Sequence, residues 1–478
     1  MESTYMPKIN NTIRNFTTRD NLGIEGIANT ISADLCPVVN TVTPRPYYWA
    51  FITWCYWKYY DLFGYIKDAE VCRFIKRNNY YIALGNLLAG NVVVGGFTGI
   101  TNIESKIIKD NEFFDYDESY ITGIGAMGYY RPGLETMNLV ITQRADTGER
   151  YKEPHITPKG VQLAKAFDSG IAVTDYYNNS LLDGPVSKKK LLELGKNIQI
   201  EFKGFDECKR LLIHYLFESA ALANLSKCKD YILFIKNHTG IEPSSLEKCR
   251  RIFFDEFSIR GTNKPIDDNL RYTASGWEIV TGRQYFTVGL EIIWQFMLNQ
   301  LSVPMTIQEW VACVLARQQF SFEIKSPLSS IAKNYTMNSS EIESLLESER
   351  YCNSQRTIEH GLAIMLSVFN RFTDREDLEE LSGYIALGGS DSISIKGFMN
   401  TVEEYKKLPI KDFLIHILIN LLINQHLKTA FYKMIENRNG YYIEEINGKY
   451  LTSHDFYWGF QGNRMVQLFN VMKDLGVI

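Results

Sequence analysis

The sequence has no C-x-x-C pair, and none of its eight cysteines stands at zinc-ligand spacing from a histidine. That excludes a locally encoded zinc finger or ribbon. Cysteines scattered at 36, 55, 72, 208, 228, 249, 313 and 352 read as small buried apolar residues kept reduced. Positive charge is also short: 51 Lys and Arg against 55 Asp and Glu leave a net charge of -4. A surface coated in phosphate-binding cations is therefore excluded, and only a local basic face is compatible with this balance. Long apolar runs are missing too. The longest, FLIHILINLLI (413–423) and ALGNLLAGNVVVGGF (83–97), fall short of the roughly 20 residues that span a bilayer. The opening MESTYMPKINN has no charged-then-apolar leader. The expectation is a cytoplasmic protein with no membrane partner. No G-x-S-x-G elbow, H-E-x-x-H pair, G-x-x-x-x-G-K-[ST] loop or solenoid repeat occurs. The seven histidines are dispersed; His416 and His426, ten residues apart on one predicted helix, lie on offset faces and cannot share a metal. No cofactor and no metal is expected.

What is present is length, aromatic bulk and helical periodicity. A chain of 478 residues predicts two to four domains. Its 29 Tyr and 27 Phe favour large cores and interfaces. Residues 20–36 have an Asp-Asn cap signal and an apolar period near 3.6, ended by Pro37. Residues 47–65 carry aromatics on every face, which predicts a core helix rather than a platform for stacking bases, since only Arg45 and Lys58 lie near. The lysines 188–190 read as one solvated helix face. Further helices are expected over 205–260, over 277–320, over 339–372 with Ser caps, and from 401 through Lys433, with 264–272 and 386–397 as loops. Asn447-Gly448 between alternating segments predicts a hairpin, and Gly476 stops a last helix.

The sharpest pattern is 129–167, which reads as helix, two strands about a Gly-centred turn, then helix. That is the order of the back half of a winged helix-turn-helix. A groove-facing helix would cover about 130–138. Candidate DNA contacts are Arg131, Arg144, Arg150, Lys152 and Lys159. Asp146, Glu149 and Glu153 are interleaved with them, and phosphate affinity follows the number of phosphates neutralised, so the mixed wing favours a protein contact or weak DNA binding. Gly123, Gly125 and Gly128 also match G-x-G-x-x-G, with Asp146 about 20 residues on. Pro132 and Gly133 in the helix that should follow, and the polar strand before, speak against a dinucleotide site. Glu323-x-Lys325, after the strand-like QFSF, is half of a PD-(D/E)xK nuclease motif, in which the Glu would hold Mg²⁺ and the Lys would steady the attacking water. No acidic partner at a neighbouring strand end is evident: Glu309 lies in a predicted helix, and Asp267 and Asp268 are far back.

Three segments together resemble a group of large helical, winged-helix-containing bacterial proteins associated with phage defence. They are LGIEGIANTISADLCPVVNTVTPRPYYWAFITW (22–54), ITPKGVQLAKAF (156–167), and the end of the chain with INQHLKTAFYKM, a hairpin and MVQLFNVMKDLGVI. The resemblance touches about a third of the chain and implies no catalytic residues. It implies a subunit of a multi-protein antiphage complex, working beside an ATPase or nuclease. The expected fold is mainly α, with an internal winged helix and a C-terminal hairpin-helix element as a possible second one. The expected modules are 1–104, 105–180, 181–400 and 401–478. The expected function is a non-enzymatic DNA- or protein-binding subunit. The alternatives are a metal-dependent nuclease using Glu323 and Lys325, and a winged-helix transcriptional regulator.

Overall fold

The computed structural model describes residues 20, 22–91, 96–108, 110–143, 149–256, 266–373, 375, 382–386, 394–435, 440–460 and 462–478. Helix dominates, as expected. In chain order the main helices begin with α1 (Glu25–Leu35), α2 (Tyr47–Phe63) and α3 (Asp68–Leu88). Strand β1 (Phe113–Phe114) precedes α4 (Arg131–Thr136), β2 (Val140–Gln143), β3 (Arg150–Ile156) and α5 (Pro158–Ile171). Then follow β4 (Val186–Ser187), α6 (Lys188–Asn197), α7 (Asp206–Phe217) and α8 (Ala223–Thr239). The next group is α9 (Asp268–Asn299), α10 (Ile307–Ala316), α11 (Ser339–Ser348), α12 (Thr357–Phe372) and α13 (Ile395–Tyr405). The series closes with α14 (Ile410–His416), α15 (Gln425–Ile435), β5 (Ile443–Ile446), β6 (Lys449–Thr452) and α16 (Arg464–Leu475). The described strands pair only as antiparallel couples: β1 with β4, β2 with β3, and β5 with β6.

Two compact units emerge. One gathers the described residues of Ala33–Cys249 and Asn463–Ile478; the other gathers those of Met1–Ser32 and Arg250–Gly462. The four modules expected from sequence are stretches of chain, whereas these units are groupings in space. The last module, 401–478, is shared between them: its hairpin belongs to one unit and α16 to the other.

The first unit is built on α2. Pro46 sets the entry to that helix, and Gly64 ends it in the left-handed conformation at φ 74°. Tyr47, Tyr48, Trp49, Phe51 and Trp54 are all buried, so the aromatic run is core, as its all-round pattern predicts. Each such ring is worth about 1.5–3 kcal/mol on burial. Tyr47, Phe51 and Trp54 pack on Phe167 of α5 with centroids 5.8, 6.1 and 5.5 Å apart. Buried amides satisfy two of the phenols: Tyr48 Oη donates to Asn79 (3.0 Å), and Tyr176 Oη donates to Asn78 (2.9 Å). α16 closes this unit. Arg45 binds both carboxylate oxygens of Asp474 at 3.0 Å, and Arg464 donates to the Val39 carbonyl at 2.6 Å.

The second unit centres on α9, a 32-residue helix buried along almost its whole length, packed against α12. Four expectations need correction here. The expected loop 264–272 ends early, because Asp267 accepts from the Asn269 N–H and starts α9 at Asp268. The expected helix 339–372 is two helices, α11 and α12, separated by a turn in which Cys352 takes φ 46°. The N-cap of α11 is Asn338, in a capping box with Glu341, rather than a serine. The long helix expected from 401 begins instead at Ile410, because Pro409 lacks the N–H that would continue α13. From there it continues through a π-helical stretch, Ile417–Asn424, into α15. The β5–β6 hairpin is as expected: Asn447 and Gly448 both have positive φ, 55° and 77°, which is the signature of a type I′ turn.

Candidate functional site

The helix-strand-strand-helix order at 131–171 is present. α4 is short because Asn138, at φ 56°, turns the chain out of helix and into β2. β2 and β3 pair Val140 with Ile156 and Ile141 with His155, then lose regular register before Gln143 meets Arg150. Thr157 joins the hairpin to α5. Its backbone N–H donates to the Leu139 carbonyl (3.1 Å), its hydroxyl donates to the Asn138 carbonyl (2.7 Å), and the hydroxyl accepts from Gly160 N–H (3.0 Å). Gly160 is required here: a Cβ at this position would stand 2.2 Å from the Leu139 carbonyl oxygen. The helix expected over 130–138 is thus a six-residue segment, fewer than two turns. Its outward residues are Pro132, Glu135 and Thr136, while Gly133 and Leu134 are buried.

Of the five cations expected to meet DNA, two have described side chains, and both are engaged within the fold. Arg131 lies 3.5 Å from Asp68 and 3.5 Å from Glu135. Lys159 donates to the Met137 carbonyl at 2.8 Å, just past the end of α4, with its ammonium 4.1 Å from the Tyr215 ring centroid. Burial lowers its pKa from the usual lysine value. Arg144 lies outside the described residues. Arg150 and Lys152 are placed in β3 by their backbone, and their side chains lie outside the described set.

The remaining candidates fall apart spatially. Gly123 and Gly125 sit at φ 54° and 53° in turns that lead into a 3-10 segment, Gly125–Tyr130. No parallel strand pair exists among the described residues to make this a βαβ phosphate loop. The strand expected at QFSFEIKSP is a turn: Ser326 N–H donates to the Glu323 carbonyl at 2.9 Å, and both Glu323 and Lys325 are exposed. The acids weighed as its partners serve as helix starts, Asp267 for α9 and Glu309 in the capping box of α10. Lys325→Ala is therefore expected to shift stability by less than about 0.5 kcal/mol. A Mg²⁺-dependent nuclease assay on the same variant tests the other side: an activity present in the parent and lost on substitution would restore the nuclease reading. His416 contacts Tyr405 Oη at 3.1 Å, and the fully buried His426 accepts from the Tyr442 N–H at 3.1 Å, so both serve packing. Of the three lysines on α6, Lys190 pairs with Asp175 at 3.4 Å; Lys188 and Lys189 line an open groove of about 530 Å³ with Glu112, Leu192, Glu193 and Lys196.

Sequence reasoning missed a buried ionic network in the second unit. Glu278 of α9, 0% exposed, receives Arg371 Nε at 2.7 Å and Arg375 Nη1 at 3.2 Å. Arg371 also donates to the Phe254 carbonyl and lies over that ring at 4.0 Å. Phe254 sits in a π-helical turn, Ile252–Glu256, whose wider rings leave carbonyls for other donors. Nearby, Glu343 accepts from Arg250 Nε (2.5 Å) and Tyr285 Oη (3.0 Å). The available signal was a glutamate inside the apolar helix of 277–298. A second buried carboxylate, Glu349, accepts from His360 Nδ1 at 2.5 Å and Thr357 Oγ1 at 2.7 Å. Among the described residues no three His, Cys, Asp or Glu side chains converge to hold a metal, and no helix is long and apolar enough to cross a membrane. Compared with protein-family models, with curated proteins and with solved structures, the chain matches none.

Proposed function

We propose that the chain is a non-catalytic, partner-binding subunit of a multi-protein assembly, and that residues 131–171 form a winged-helix-like element contacting protein rather than DNA. One observation carries the choice. Of the described cations, Arg131 is ion-paired with Asp68 and Glu135 at the surface and Lys159 is held by the Met137 carbonyl, and the outward side of α4 offers Pro132, Glu135 and Thr136. Duplex binding through this face would need free cations, since affinity follows phosphate neutralisation. Apolar surface is exposed here instead: Ile141 of the element is 37% exposed, and Tyr129, just before it, 55%. The antiphage setting, with an ATPase or nuclease as partner, is part of this proposal and rests on the sequence resemblance. A hairpin-helix at the C-terminus as a second winged element finds no support in the grouping of the chain, since β5–β6 and α16 fall in different units.

The test uses the protein expressed with its native gene neighbourhood. A stoichiometric protein partner should co-purify, and Ile141→Glu should release it without changing the circular dichroism or the unfolding midpoint. Anisotropy with labelled duplex DNA should show only weak binding at physiological salt. A tight complex with DNA, steeply weakened by salt and lost on Arg150→Glu, would replace this reading with the transcriptional regulator. A chain that purifies alone and binds no DNA would sink both.

A further inference from the structure

We propose that the outer edge of β5 is a docking site for an extended segment of a partner protein, one that carries two consecutive basic residues and adds to the hairpin as a further strand.

The backbone of the hairpin sets which groups face that edge. β5 and β6 pair Ile446 with Lys449, Glu445 with Tyr450, Glu444 with Leu451 and Ile443 with Thr452. Opposed residues in an antiparallel ladder alternate. One pair exchanges its hydrogen bonds, and the next turns its N–H and C=O away from the partner strand. Tyr450 is of the second kind. Its N–H donates to the Met305 carbonyl at 2.7 Å, and its carbonyl accepts from the Met305 N–H at 3.0 Å. Glu445, opposite Tyr450, therefore turns its own N–H and C=O to the far side of β5. Three residues back the alternation still holds, since the Ser453 N–H donates across the hairpin to the Tyr442 carbonyl at 2.9 Å. β6 is thus bonded on both sides, by β5 and by Met305. Among the described residues no strand or bridge pairs with β5 on its outer side. Glu444, Glu445 and Ile446 are exposed, so that edge stands in water. An open strand edge is a template for a further strand.

Charge names the occupant. Glu444 and Glu445 are adjacent, so their side chains leave opposite faces of the strand. Neither is ion-paired among the described residues; Glu445 accepts from Tyr450 Oη at 3.5 Å. A second copy of this chain is disfavoured, because antiparallel pairing centred on either glutamate sets that acid directly opposite itself. A segment with two consecutive basic residues instead places one cation on each face, opposite each glutamate. Ile446, 49% exposed, follows on the Glu444 face, and an apolar residue next to the basic pair covers it. This edge lies in the second unit and shares no residue with the 131–171 element, so the two surfaces stand or fall separately.

The probe is a short fluorescein-labelled peptide of alternating valine and threonine with arginine-arginine-valine at its centre. It is titrated into the full chain and followed by anisotropy. Saturable binding is expected, with hydrogen-exchange protection over 443–446 in the complex. Glu445→Pro deletes the outward donor without breaking a bond within the hairpin. It should weaken binding by about tenfold while the unfolding midpoint holds. The double change Glu444→Lys and Glu445→Lys should weaken it as much through charge. Two control peptides need no variant of the protein. One is N-methylated along its central backbone, which keeps the charge and removes the donors; the other has glutamates in place of the arginines. Neither should bind. No saturable binding of the arginine peptide, equal binding of either control, or protection elsewhere than 443–446 would overturn the proposal. A dimer in sedimentation that Glu445→Pro dissolves would overturn it too, by making a second copy the occupant.

Discussion

Glu278→Ala is expected to destabilise its unit by about 3–5 kcal/mol, because it removes the buried carboxylate that two arginines share. Glu278 is fully buried and receives Arg371 at 2.7 Å and Arg375 at 3.2 Å. Removing the carboxylate takes from both guanidiniums a charged acceptor that offsets the solvation lost on burial. The protein has a reporter in place, since Trp277 and Trp294 are buried on the same helix. Chemical denaturation followed by their fluorescence should show an earlier midpoint with unchanged slope. Glu278→Gln keeps the shape and one acceptor and should lose less. A loss under 1 kcal/mol on Glu278→Ala would mean that water reaches the arginines and the network is solvated.

Gly195→Ala is expected to cost about 3 kcal/mol in the other unit, the upper end for an overpacked methyl. α3 and α6 cross where Gly85 faces Gly195. A Cβ on Gly195 would stand 2.1 Å from the Gly85 carbonyl oxygen, 2.3 Å from its carbon and 2.7 Å from the Asn86 nitrogen. All three are backbone atoms, so no side chain can rotate away. The helices cannot simply part either. Asn86 Nδ2 donates to the Ile198 carbonyl (2.7 Å) and Asn91 Nδ2 to the Gly195 carbonyl (2.8 Å), and separation would break both bonds. Gly459→Ala, with nothing within 4 Å of the added carbon, is the matched control and should be near neutral. Thermal unfolding of the two variants checks the contrast; equal midpoints would show that α3 and α6 slide to accommodate the methyl.

Features encoded locally were legible in the sequence. Asn447-Gly448 selects its turn from two adjacent residues, and the aromatic surround of 47–65 announces a helix buried on most sides. The order of elements in 131–171 was readable for the same reason. What was not readable depends on partners distant along the chain. Glu278 meets Arg371 and Arg375 across 93 and 97 residues, and no local pattern marks such a pairing. Lys159 looked like a phosphate contact because its spacing fits the wing, yet its destination is a carbonyl 22 residues earlier and the face of Tyr215. Boundaries failed where one residue decides them: Pro409 for the helix that starts at Ile410, and Asp267 for the start of α9.

The division of the first unit between Ala33–Cys249 and Asn463–Ile478 sets an order of events during synthesis. The ribosome completes α2 through α8 and then makes more than 200 residues that belong elsewhere before α16 emerges. Until then Arg45 lacks Asp474, the Val39 carbonyl lacks Arg464, and the sides of α7 and α8 that α16 covers stand open to water. The intervening unit has all its segments by Gly462 and can fold first. Most of this unit is made before most of its neighbour yet it is finished later, so the nascent chain carries an uncovered apolar surface throughout the translation of residues 250–462. It is the stage at which a holding chaperone has most to bind, and a chain cut short before Asn463 would leave the fold of residues 33–249 incomplete.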